Sequence, residues 1–374
     1  MTLEDKQYLL ALHLIPGVGT VIAKNLVAYA GSPRAVFEKP RGHLLRIPDV
    51  GPKLAEALRG DLSSYLKRAE ENIAFSQQHG IRLLAYSERE YPEGLKAIYN
   101  APLVLFVKGT LAFNTQPAIA IVGTRKVTDY GRVQAARFAT AFAQQGIQVV
   151  SGLAYGVDIA AHKAVLEAGG STVGVLAHGL DMIYPAAHKG PAERMLERGG
   201  LVTEYLTGTR PDATNFPERN RILSGISMGV VVIEAAEKGG ALITARVGFE
   251  QNRSIYALPG RVDDPRSAGC NRIISENIAR LVTSPEEVLE DLGLLDAKAP
   301  KRAMVPEAPR FKPVQELLSA EEQLVLNLLE TGDMPLEALA LKSKLAAGRL
   351  ISLLLTLEFR GYVAQRPGQV FKRL

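Results

Sequence analysis

Seven short, mostly apolar runs recur along the middle of the chain, at 103–107, 119–122, 148–150, 172–176, 201–202, 230–233 and 255–258. Within each, the apolar residues are consecutive rather than alternating, which is the pattern of strands buried on both faces. Stretches with helical periodicity, such as 131–145 and 156–168, separate them. Together they predict a Rossmann-like α/β domain over 81–295, a doubly wound parallel sheet between helices.

The flanks differ. Ile15-Pro16-Gly17-Val18-Gly19 returns as Ile47-Pro48-Asp49-Val50-Gly51, and Ala23 and Leu26 match Ala55 and Leu58. Each copy reads as a short helix, a tight turn and an amphipathic helix, so 1–80 is expected to be a helical domain of helix-hairpin-helix, sterile-alpha-motif-like type. A Gly-x-Gly turn of this kind aims backbone N–H groups at a phosphate. Asp49, standing where the first copy has Gly17, would repel one; a packing or partner-docking role is the other reading. Residues 296–313, rich in Ala, Pro, Lys and Arg, read as a linker. Three periodic segments and a basic hairpin over 314–374 predict a winged helix, a fold that binds DNA or protein.

Charge narrows the function little. A net charge of +5 suits either a polyanion partner or a mildly basic enzyme. Cys270 is the only cysteine, so no intrachain disulfide forms and a reducing cytoplasm is expected. The first residues are acidic where a secretory signal is basic, and no apolar run is long enough for a membrane span. The six histidines are scattered, without metal-ligand spacing, and neither a metal nor a cofactor is expected.

Candidate chemistry gathers where the strands end, the edge at which open parallel sheets bind ligands. Gly123-Thr124-Arg125-Lys126 follows one strand, and Ser151-Gly152-Leu153-Ala154-Tyr155-Gly156 the next. Lys238-Gly239-Gly240 leads to Thr244 and Arg246 after a third, and Pro259-Gly260-Arg261 follows a fourth. Glycines admit a ligand close to the backbone, and the helix starts they lead into favour anions. Phe216-Pro217-Glu218-Arg219-Asn220-Arg221 adds an aromatic face for stacking and two guanidinium forks for phosphate. Four such turns at one edge predict an anion or phosphate site. There is no P-loop and no Gly-x-Gly-x-x-Gly after a strand. Gly225-Ile226-Ser227-Met228-Gly229 matches a nucleophile elbow in letters only, because it precedes a strand instead of following one. His162 lies on a helix with no nucleophile nearby in sequence and reads as a packing residue.

These segments, with Ser151 to His162, Gly179-Leu180-Asp181-Met182-Ile183-Tyr184-Pro185, Gly240 to Arg246 and Ala257-Leu258-Pro259-Gly260, resemble the DNA-processing protein A (DprA/Smf) family in order across the α/β domain. The resemblance implies a single-stranded-DNA-binding mediator, not an enzyme. It would protect incoming strands during natural transformation, load the RecA recombinase and act as a homodimer through the α/β domain. It also implies that Arg125 and the 216–221 run line the DNA pocket. By their chemistry, Arg125, Lys126, Arg219 and Arg221 would neutralise phosphates, Phe216 would stack on a base, and the 151–156 and 239–240 turns would donate N–H groups. Gly239-Gly240-Ala241 departs from the Ser-Gly-Ser turn usual in the family. A second resemblance, through Gly239, Gly240, Thr244 and Glu250, is to phosphoribohydrolases of the lysine-decarboxylase-like group. That alternative makes the chain a nucleotide-cleaving enzyme with Glu234 or Glu250 as the stabilising carboxylate, although Lys238 and Leu242-Ile243 break the signature. A scaffold that docks partners through its outer domains is the third reading.

Overall fold

The computed structural model describes residues 1–295, 318–330, 332–366 and 370–373. The predicted linker at 296–313 and the tip of the C-terminal hairpin at 367–369 lie outside the described residues. The chain divides into two compact units, Met1–Lys298 and Ala299–Leu374.

The first unit is built on a nine-stranded sheet. Its strands are β1 (Ile81–Ala85), β2 (Val104–Gly109), β3 (Ala118–Val122), β4 (Gln148–Ser151), β5 (Thr172–Val175), β6 (Gly200–Thr203), β7 (Gly229–Val232), β8 (Ser254–Ala257) and β9 (Arg280–Leu281). Their order is β1-β2-β6-β5-β4-β3-β7-β8-β9. Pairing is parallel from β6 through β9, while β2 runs antiparallel to both β1 and β6. The apolar pattern places β2 in the parallel set and passes over β1. Strand β2 is buried on both faces despite its direction, so its residues carry the signature of a parallel strand.

Successive residues of a strand feed opposite faces. Ala118, Ala120 and Val122 of β3 pack in one core with Val230 and Val232 of β7. Ile119 and Ile121 pack in the other with Val231, Phe138 and Phe142. The N-terminal helices add a third cluster, in which Leu9, Leu12 and Leu26 share a core with Val104 and Phe106 of the sheet. The internal repeat survives in backbone geometry: Gly17 and Asp49 occupy equivalent turns and both have positive φ, 87° and 64°. Aspartate tolerates that left-handed region better than most residues, which explains how it substitutes for glycine.

The second unit has helices Ala320–Leu329, Leu336–Ser343 and Ala347–Phe359 and a three-stranded sheet of Met334–Pro335, Val370–Arg373 and Val363–Arg366. Ser319 and Glu322 form a reciprocal capping box at its first helix. Val325, Leu339, Leu350 and Leu357 are among its core residues. This is the winged helix the pattern predicts.

Candidate functional site

A cleft of about 870 Å³ opens beyond the carboxyl ends of β3, β4 and β7. The connections leave β3 toward β4 on one side and β7 lies on the other, so the cleft sits where the strand order reverses. Of the predicted residues, Gly123, Arg125, Phe216, Arg219, Asn220, Gly239, Gly240 and Thr244 line it.

The loop after β3 carries Arg125 and is clamped from two sides. Thr124 donates its N–H to the Glu234 carbonyl at 2.8 Å and accepts from Val157 N–H at 3.2 Å. Glu234 is buried, and its Oε2 accepts from the Thr128 N–H at 3.1 Å and hydroxyl at 2.9 Å. Gly156 closes the other side: its φ is +81°, and a Cβ there would stand 2.1 Å from the Thr124 carbonyl oxygen. Arg125 is exposed, with its guanidinium 5.0 Å from the centre of the Phe216 ring. That cation–π contact places charge and a stacking surface side by side. The helix Gly240–Glu250 starts at Gly239 without a side-chain cap, and Gly239, Gly240 and Ala241 at that start line the cleft.

Several predicted roles are corrected by the geometry. The 216–221 run is the first half of a helix, Asn215–Ile226, whose residues turn to different sides. Arg219 points inward, is 4 % exposed, and donates to the carbonyls of Gly152 (3.0 Å) and Val175. Burial lowers its pKa to about 10, against the attraction of Asp158. Arg219 is thus a strut of the cleft wall, not a free phosphate ligand. Arg221 faces away and forms a 2.5 Å ion pair with Glu204, both nearly buried. Burial pushes the Glu204 carboxyl up, and Arg221 partly restores it. Two of the donors expected from the 151–156 turn are already engaged: Gly152 and Ala154 give their N–H groups to the Asp158 carboxylate at 3.1 and 3.3 Å. Ser151 is buried and donates to the Ile121 carbonyl at 2.7 Å. Lys126 is exposed outside the cleft lining, and Arg246 is an exposed partner of Glu276 at 2.8 Å. Thr244 lines the cleft but donates its hydroxyl to the Gly240 carbonyl at 3.2 Å.

Arg210, Lys238 and Tyr184 line the cleft without having been singled out as site residues. The same strand-end rule, applied to β5 and β6, points to Tyr184 and Arg210. Arg125, Arg210 and Lys238 form no ion pair with any described residue, so the cleft carries unbalanced positive charge.

A second cavity of about 1210 Å³ lies in the same unit. It is larger but electrically balanced, with Arg68, Arg221 and Arg253 against Glu204, Glu218 and Glu250. Glu250, one carboxylate of the hydrolase alternative, lines that cavity. The other, Glu234, turns its carboxylate to Thr128 beneath the loop. Neither lines the cleft. His162 is fully buried; its Nδ1 donates to Thr172 Oγ1 at 2.7 Å, since that hydroxyl gives its own proton to the Val149 carbonyl. It is a packing residue, as its sequence context suggests. Among the described residues no group of three His, Cys, Asp or Glu side chains is placed to hold a metal, and no helix is long and apolar enough to cross a membrane.

A family model described as DNA recombination-mediator protein A matches residues 82–293, and a DprA winged-helix model matches 307–369. Protein Smf of Escherichia coli is 36% identical over 328 residues, covering 86% of this chain and 85% of that one. The X-ray structure of DNA processing protein A from Streptococcus pneumoniae superposes with a TM-score of 0.63 at 30% identity, covering 78% of this chain and 98% of that one. A structure of DNA processing protein A from Helicobacter pylori, described for its single-stranded DNA binding mode, gives a TM-score of 0.50 at 25% identity, covering 57% and 95%.

Proposed function

Because the chain belongs to the DNA recombination-mediator protein A family, we propose that its strand-end cleft binds single-stranded DNA with little regard to sequence. A mediator handles DNA without transforming it, and the chain is not an enzyme. Arg125, Arg210 and Lys238 take phosphates, the Gly240–Glu250 helix start donates N–H groups to one of them, and Phe216 stacks on a base. On this reading the protein shields incoming strands during natural transformation, works in the cytoplasm as a homodimer through the α/β unit, and hands the strand to the RecA recombinase. The observation that carries the reading is the conjunction, in one cleft, of unpaired cations, an uncapped helix start and an aromatic face. That the Helicobacter pylori protein is described as binding single-stranded DNA supports the choice of ligand.

The test is fluorescence anisotropy of a labelled oligothymidine, titrated with the full chain against a duplex competitor and free AMP. Tight, salt-sensitive binding that survives both competitors is expected. Displacement by AMP at comparable concentration favours a mononucleotide site and overturns the reading. Transfer to RecA is tested separately, by whether the chain speeds RecA filament formation on strands already coated with a single-strand-binding protein.

A further inference from the structure

In the second unit, the helices Leu336–Ser343 and Ala347–Phe359 are joined by three residues, 344–346, the corner of a helix-turn-helix. Where such a corner binds DNA, its second helix enters the major groove and reads bases with Arg, Lys, Asn or Gln. The helix Ala347–Phe359 is not equipped for this. Its exposed residues are Ala347, Gly348, Arg349, Ile351, Ser352 and Leu355. Arg349, the only charge among them, donates from both Nε (3.0 Å) and Nη2 (2.8 Å) to Glu321 Oε2. Arg360 and Arg373 are likewise paired, with Glu322 and Glu330. The helix offers an apolar face instead. Ile351 and Leu355 stand one turn apart on one side, 43% and 48% exposed, while Leu350, Leu353, Leu354 and Leu357 are buried. At the corner Leu341 is 81% exposed. Lys342 and Lys344 beside it are exposed and form no ion pair with any described residue. Glu337, one turn before Leu341, is the one acid of its helix.

We propose that this face of the winged helix docks an acidic peptide segment of another protein. Apolar side chains of the segment cover Leu341, Ile351 and Leu355, and its carboxylates meet Lys342 and Lys344. Charge complementarity selects this occupant. A DNA backbone would satisfy the lysines but leave Ile351 and Leu355 against phosphate and sugar, with no free arginine to read a base. A second copy of the same face would bring lysines and apolar groups to lysines and apolar groups, with Glu337 the one acid to balance them. An acidic segment with apolar residues three and four apart supplies both halves of the contact, the helix-in-groove mode with a charged rim. A few anchors on one helix face suit a transient contact rather than a permanent one.

The experiment titrates the full chain against three fluorescein-labelled peptides of equal length. One spaces leucines three and four apart among aspartates, one sets the same leucines among lysines, and one sets serines among the same aspartates. The parent is expected to bind the first and neither of the others. The double variant Ile351→Ser, Leu355→Ser is expected to weaken that binding on the order of tenfold. The double variant Lys342→Glu, Lys344→Glu is expected to weaken it similarly and to remove its salt dependence. Because the four side chains are exposed, both variants should unfold in urea like the parent and bind oligothymidine and duplex with parental affinity. No binding of the acidic leucine peptide, or equal binding of the basic one, overturns the proposal. If the Ile351→Ser, Leu355→Ser variant loses DNA affinity instead, the helix is a DNA contact and the proposal falls. It falls equally if that variant lowers the oligomeric state at sedimentation equilibrium, which assigns the face to a second copy of the chain.

Discussion

Replacing Arg125 with alanine removes one of three unpaired cations from the cleft, the others being Arg210 and Lys238. Each phosphate neutralised on a single strand contributes about 0.7 to the slope of log affinity against log salt, so three contacts give a slope near −2 per protomer. Between 50 and 200 mM salt the parent affinity should then fall roughly 20-fold, and that of Arg125→Ala only about sevenfold. Anisotropy titrations of an oligothymidine at four salt concentrations measure both slopes. Arg246→Ala is the matched control: its guanidinium is exposed, pairs with Glu276 and lies outside the cleft lining. An unchanged slope for Arg125→Ala, or an equal loss for Arg246→Ala, refutes the assignment of phosphate contacts to this cleft.

Arg221→Ala leaves the Glu204 carboxylate buried without its partner, so it should cost about 3–5 kcal/mol in urea unfolding while the salt slope of DNA binding stays at the parent value. A variant as stable as the parent contradicts the buried-pair reading. Gly156→Ala forces a left-handed φ of +81° on alanine and drives its Cβ toward the Thr124 carbonyl. It should lose about 1–3 kcal/mol of stability and weaken DNA binding through the displaced Arg125 loop; unaltered melting and binding would count against the clamp. Burial lowers the His162 pKa to about 3 from 6.5, so the folded state prefers the neutral ring. The unfolded state binds the extra proton, and stability is present above pH 6.5 and lost as pH falls toward 3. Between pH 7.5 and 5 this one group should cost about 2 kcal/mol, and His162→Gln should flatten that part of the profile measured by urea unfolding. A profile unchanged by the substitution contradicts it.

Much of the sheet was legible because parallel strands buried on both faces leave unbroken apolar runs, as at 119–122 and 230–233. Strand β2 was found but its direction was not, since burial on both faces marks parallel and antiparallel strands alike. Strand β1, with Arg82 interrupting its apolar residues, fell below that signal. The site was legible where chemistry follows a strand end directly: Gly123, Arg125, Gly239 and Gly240 reach the cleft. It was not legible within 216–221, where helical geometry sends neighbouring residues to different places. Phe216 lines the cleft, Arg219 props its wall and Arg221 meets Glu204 on another side. The two arginines suggest phosphate ligands equally by residue type, and only the helix separates them. The 151–156 turn looked like a set of anion donors because sequence does not reveal that Asp158, on the following helix, already takes the N–H groups of Gly152 and Ala154.

The most direct measurement is photo-crosslinking of the full chain to an oligomer carrying 5-iododeoxyuridine, with the adducts mapped by mass spectrometry. Crosslinks at Phe216 or Tyr184, suppressed by unlabelled single strand but not by duplex, are expected. Crosslinks confined to the winged helix or to the charge-balanced cavity around Arg68 and Arg253 would place the strand elsewhere and contradict the assignment of the strand-end cleft.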